Sequence, residues 1–132
     1  MSTTEIRIRG YHLDFYGHVN NARYLEFFEE ARWDMLEHHV DLGAWDAEGM
    51  GFYVVNINIS YRQPVVLGDI LIIHSGITHF GTKSAVITQR AFRKGADAPA
   101  AEADVTFVIV GPEGKALPMA GWIREKMDVL AV

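Results

Sequence analysis

An α+β domain, with a five-stranded antiparallel sheet and one long helix, is the fold class this sequence predicts. Three observations predict it. Tyr24, Phe27, Phe28, Ala31 and Met35 recur at helical spacing, with Leu25 and Leu36 on a neighbouring row. From Gly51 onward the pattern changes to alternation, as in Val55, Ile57, Ile59 and Tyr61 against Asn56, Asn58, Ser60 and Arg62. Four such strands follow one another through short turns, so they pair antiparallel, and the lone apolar helix must bury its face against them. The whole chain, 1–132, reads as one domain, long enough to bury about two-thirds of its unfolded surface.

The elements follow in order. Ile6 and Ile8 alternate with Arg7 and Arg9, giving a short first strand, and Gly10 to Val19 reads as loop. The helix starts after Asn20 or Asn21, both cap residues, and runs to about His39 or Val40, with Gly43 as a stop signal. Val55 to Tyr61 presents one apolar and one polar face. Pro64 and Gly68-Asp69 break the chain before a strand from Ile70 to Phe80, in which Gly76 marks a bulge. After Gly81-Thr82 a strand runs from Ser84 to Arg93, with Val86 and Phe92 on one side and Ile87 and Ala91 on the other. Gly95 to Pro99 is a turn, Ala101 to Val110 the last strand, and Gly111 to Gly114 closes it with turn chemistry. A short helix spans about Gly121 to Met127. Five strands leave two free sheet edges, which favours edge pairing between subunits.

Composition removes several function classes. There is no cysteine, so disulfides, thiolate catalysis and cysteine-based zinc sites are excluded. The net charge is −5 and the basic residues form no dense cluster, so no nucleic-acid footprint is expected. The first nine residues lack the apolar core of a secretory signal, and no apolar run approaches the ~20 residues of a membrane span. A cytoplasmic location away from membranes is therefore the expectation. Gly-x-Ser-x-Gly elbows and glycine-rich phosphate loops are absent, and Ser75 and Ser84 fall within predicted strands.

What remains is the stretch from Asp14 to Tyr24, which places an acid, a glycine and a histidine just ahead of the helix caps. Two readings are open from spacing alone. Asp14 can be a turn residue, with His18 on the surface and an asparagine as cap. Alternatively, the carboxylate attacks or activates water while unpaired N–H groups at the helix start hold an oxyanion. His12 and His18 flank Asp14 without a recognised metal spacing, so no metal is expected. Glu26, Glu29 and Glu30 complement the helix dipole, though one of them could also reach an active site.

The run Asp14-Phe-Tyr-Gly-His-Val-Asn-Asn-Ala-Arg-Tyr-Leu-Glu-Phe-Phe-Glu-Glu-Ala-Arg32 resembles the signature of hotdog-fold acyl-CoA thioesterases of the 4-hydroxybenzoyl-CoA thioesterase-like group. Arg62-Gln-Pro64, Gly68-Asp69 and Lys83-Ser84 fall where that family has its sheet turns and strand starts. The resemblance implies a sheet wrapped around a long central helix, in a homodimer or homotetramer with active sites between subunits. It implies Asp14 as nucleophile or general base, and amides from Gly17 to Tyr24 around the thioester oxygen. Tyr24, Phe27 and Phe28 become acyl-pocket candidates, and Lys83 and Ser84 candidates for coenzyme A phosphates. Two arginines that precede the lysine in such relatives are Gly81 and Thr82 here. The stretch also resembles a pattern of plant acyl-carrier-protein thioesterases, with Tyr16 in place of an asparagine. That leaves His18 as an orienting or acid/base partner and Tyr16 as pocket lining. No cofactor is implied. An acyl-thioester hydratase or dehydratase, or an acyl-CoA-binding protein without catalysis, are the alternative functions.

Overall fold

The computed structural model describes residues 1–132. Five strands form a single antiparallel sheet: β1 (Ser2–Arg7), β2 (Gly51–Tyr61), β3 (Ile70–Phe80), β4 (Ala85–Arg93) and β5 (Ala101–Val110). Their spatial order is β1-β3-β4-β5-β2, so β1 and β2 are the edges. Three helices accompany them: α1 (Asn21–Glu37), α2 (Leu42–Ala47) and α3 (Gly121–Asp128).

Helix α1 begins where the cap chemistry requires. The Asn20 side chain accepts the Ala22 N–H at 2.9 Å, satisfying one of the helix's orphan donors. Tyr24, Phe27, Phe28, Ala31, Met35 and Leu36 are buried, and α1 lies against β1 and β3. Thr4 on β1 also donates to Asp34 on the helix at 2.5 Å. The helix is 17 residues long, ending short of the expected His39 or Val40. There the His39 and Val40 N–H groups both turn back to Leu36 O. Gly43 is not a stop signal. Asp41 accepts the Ala44 N–H at 3.0 Å and opens α2, to which the sequence reading assigned no element.

The sheet's inner face is the core. Leu71, Ile73 and Ile77 of β3, Ala85, Ile87 and Ala91 of β4, and Ala103, Val105, Phe107 and Ile109 of β5 are buried. One polar knot sits among them. Gln89, fully buried, donates to Phe28 O and to Ser75 Oγ, each at 2.9 Å, and accepts from Arg32 Nη1 at 3.0 Å. It ties α1 to β3 and β4 at once.

Other boundaries differ modestly. The first strand starts at Ser2 and ends at Arg7, leaving Ile8 to donate to Asp69 O and pack in the core. The bulge in β3 falls between Ile77 and His79 rather than at Gly76, and Ser84 precedes β4. β2 departs furthest from the expected burial. Val55, read as part of an apolar face, is 59% exposed, and Tyr53, Val54 and Ile57 are exposed as well.

Candidate active site

The loop ahead of α1 is a tight hairpin rather than irregular chain. Asp14 N–H donates to His18 O at 2.8 Å, and Gly17 N–H to Asp14 O at 3.1 Å. Gly17 takes φ +78°, a left-handed conformation that glycine adopts without a Cβ clash. Inside the turn Asp14 Oδ1 accepts the Tyr16 N–H at 2.9 Å and the His18 N–H at 3.3 Å. The carboxylate is thereby held by one oxygen, while Oδ2 makes no hydrogen bond within the chain.

The hairpin is anchored at its base. Val19 N–H donates to Val65 O at 2.8 Å and Asn20 N–H to His12 O at 2.9 Å. His12 is buried beneath it, its Nδ1 accepting the Arg9 N–H at 2.9 Å and its ring edge-on to Phe27. Burial, then the charge of Arg23, pushes the His12 imidazole below its usual range, with Glu26 acting in the opposite direction. A neutral ring suits that apolar seat.

Beside the hairpin opens a cleft of ≈ 490 Å³. Asp14, His18, Asn20, Asn21 and Tyr24 form one wall, and Tyr61 to Pro64 form the other. Tyr61 donates to Asn21 O at 3.0 Å, closing the cleft where α1 meets the end of β2. The Asn21 N–H, at the positive end of the helix, has no acceptor in the chain. Tyr24 is buried against Tyr61 and Phe27. Desolvation raises its phenol to about 12, with smaller contributions from Tyr61 and Asp69, so it stays a neutral donor. A half-buried carboxylate with a free oxygen, next to a helix-start amide, can both activate a nucleophile and hold a developing oxyanion.

The expected site residues therefore divide. Asp14, His18 and Tyr24 share the cleft, and Gly17 shapes the hairpin with its own N–H engaged inside it. Tyr16 stands 78% exposed at the hairpin tip, outside the cleft. Phe27 and Phe28 are core residues, buried under the cleft wall. Lys83 and Ser84 lie in the β3–β4 turn, at the far end of β3 from the Asp14 hairpin. At about 3.3 Å per residue, eleven residues of β3 separate the two ends by roughly 35 Å. Tyr61 was read only as the end of a strand, and Arg62 to Pro64 as the turn after it. Their arrival opposite Asp14 depends on β2 running back along α1, which no local pattern announces.

Known proteins share this fold. The chain is 47% identical over 126 residues to the long-chain acyl-CoA thioesterase FadM of Escherichia coli strain K12, covering 95% of this chain and 96% of that one. It is 36% identical to the acyl-CoA thioester hydrolase YbgC of Escherichia coli O6:H1, over 89% and 93% of the two chains. The crystal structure of YbaW, a probable thioesterase from Escherichia coli, superposes with a TM-score of 0.93 at 44% identity, over 100% of both chains. The profile of the thioesterase-like superfamily matches residues 8–127, and the chain belongs to that superfamily.

Proposed function

We propose that this protein hydrolyses acyl-CoA thioesters to a free acid and coenzyme A, with Asp14 as the reacting carboxylate. The observation that carries the reading is Asp14, pinned through Oδ1 with Oδ2 free, in the same cleft as the unpaired Asn21 amide. The activity of FadM and YbgC supports the substrate class. Asp14 acts either by attacking the thioester carbon or by taking a proton from the attacking water. In both cases the carbonyl oxygen gathers charge toward the helix start, the C–S bond breaks, and the thiolate of coenzyme A leaves and is protonated. In the first case the Asp14 acyl anhydride so formed is then cleaved by water, which releases the free acid and restores the carboxylate. Tyr24 supplies a neutral phenol to the acyl side, and His18 borders the entrance to the cleft.

In this reading α1 is the central helix of a hotdog fold, and two protomers join through their β2 edges. A two-fold pairing of β2 with its copy brings the partner's β3–β4 turn to the same end as this chain's Asp14. Lys83 and Ser84 would then meet coenzyme A phosphates held largely by the other protomer, with Gly81 and Thr82 adding no charge. The protein works in the cytoplasm in this reading; no helix is long and apolar enough to cross a membrane.

The test is Asp14→Asn. The amide oxygen still accepts the Tyr16 and His18 N–H groups, so the hairpin survives while the base and nucleophile are lost. Turnover of long-chain acyl-CoA should fall by about a hundredfold or more. Near wild-type kcat in a folded variant would remove Asp14 from the mechanism.

A further inference from the structure

Helix α1 rests on the β1 and β3 side of the sheet, and β2 passes along its other flank in the opposite direction. Tyr61 meets the helix start, while Phe52 and Val54 share a pocket with Arg32 and Leu36 twelve residues or so further along α1. That pocket encloses ≈ 170 Å³, its inner wall made by Leu36, Phe52, Ile87 and Phe107. Its rim holds Trp33 and Val54. Along the two elements that run from it to the Asp14 cleft, Leu25 on α1 and Ile57 on β2 are exposed.

The charge in this pocket is unusual. Arg32 is only 9% exposed, yet it forms no ion pair. One of its five N–H donors meets Gln89 Oε1 at 3.0 Å, and the others have no acceptor in the chain. None of these unpaired nitrogens is sealed from solvent, since the buried side-chain nitrogen without a partner is Arg93 Nε, so the free Arg32 donors stay open to a group that enters the pocket. The pocket's other charge is Glu29, which accepts from Trp33 Nε1 at 3.3 Å. Its carboxylate repels a second anion, so a neutral oxygen suits the site better than a carboxylate.

We propose that this pocket receives the far end of the substrate's acyl chain, and that Arg32 selects chains bearing a hydroxyl or keto oxygen there. Eleven residues of helix separate Asn21 from Arg32, about 16 Å at 1.5 Å per residue. An extended chain of bonds about 1.5 Å long, set in a zigzag, covers that span with about a dozen carbons. The inference rests on the acyl-CoA thioesterase reading and names its substrate subclass. A site built to hydrogen-bond an oxygen discriminates against the analogue that lacks it.

The experiment compares kcat/KM for dodecanoyl- and tetradecanoyl-CoA with their terminally or subterminally hydroxylated counterparts. Wild type should favour the hydroxylated chains by about tenfold or more, and Arg32→Met should erase that ratio. A second variant serves if Arg32→Met does not fold. Glu29→Gln, on the exposed helix surface, leaves Arg32 as the pocket's only charge. It should raise the relative kcat/KM of an acyl-CoA ending in a carboxylate by about tenfold. Equal ratios in wild type and Arg32→Met, as when a group from a second copy satisfies the guanidinium, overturn the proposal, as does an unchanged carboxylate ratio in Glu29→Gln. No hydrolysis of any of these thioesters by wild type would instead remove the thioesterase reading itself.

Discussion

Tyr24 shows how much a single side chain's surroundings add to its type. In sequence it is one apolar position of a helical stripe. In the fold its hydroxyl borders a polar cleft while its ring is packed against Tyr61 and Phe27. Because burial raises the phenol to about 12, ionising it works against the folded state. The sign follows from proton counting. Between pH ~10, where an unfolded tyrosine titrates, and about 12, the unfolded chain holds fewer protons, so stability falls as pH rises through that window. Below it the contribution is fully present. Tyr24→Phe should flatten this alkaline loss, measured as the pH dependence of the urea midpoint from pH 9 to 11. An equally steep decline in the variant would assign the loss to other groups. Asp14 is the opposite case, since its cap-like turn and its place ahead of a helix were both readable. The unread part was the opposing wall at Tyr61 to Pro64, which is distant in sequence.

At the scale of elements, alternation located β3, β4 and β5 within a residue or so, because each has a buried and a partly open face. Helix α2 escaped notice because Gly43 suggested termination, although Asp41 three residues before Ala44 is itself a cap signal. The most informative failure is Gln89. Its neighbours mark a buried face, yet nothing local shows that this amide will meet the backbone of Phe28, 61 residues away. That knot has a measurable weight. Gln89→Ala would leave buried Ser75 Oγ without its partner and remove the one acceptor that Arg32 has within the chain. Losing a hydrogen bond to a charged group costs about 1.5–3 kcal/mol, so chemical denaturation should show a loss of at least that size. A loss below about 1 kcal/mol would mean that water reaches the network and replaces the amide.

For the molecule as a whole, the sheet edges bear on the proposed pairing of protomers. β2 is eleven residues long and presents Tyr53, Val54, Val55 and Ile57 to solvent in a single chain. Long apolar edges invite pairing, and a lone cation on the edge blocks it. Val55→Lys should therefore shift the sedimentation mass toward a monomer at concentrations where the wild type associates. The same variant should lose activity if the partner completes the coenzyme A site. An unchanged mass would place the interface elsewhere. The sequence's strand count anticipated two free edges, but the apolar face it gave Val55 and Ile57 is exposed, since alternation alone does not say which face the helix covers. Helix α1 covers the β1 and β3 side, and the β2 half is left for something else to complete.

The pairing of the first strand with the third also governs how the chain is assembled in time. Thr3 lies opposite His74, so β1 leaves the ribosome well before the strand that must receive it. Until then α1 has no sheet beneath Phe28 and Met35, and a helix of 17 residues without packing is only marginally stable in water. The emerging chain carries a greasy, half-formed helix through much of its synthesis, a natural client for a chaperone. Pulse-labelled hydrogen exchange during refolding should show amides of β1 and β3 gaining protection together, after the local β3–β4 hairpin. Protection of β1 ahead of that hairpin would mean that early collapse, not strand pairing, shelters the N-terminal half.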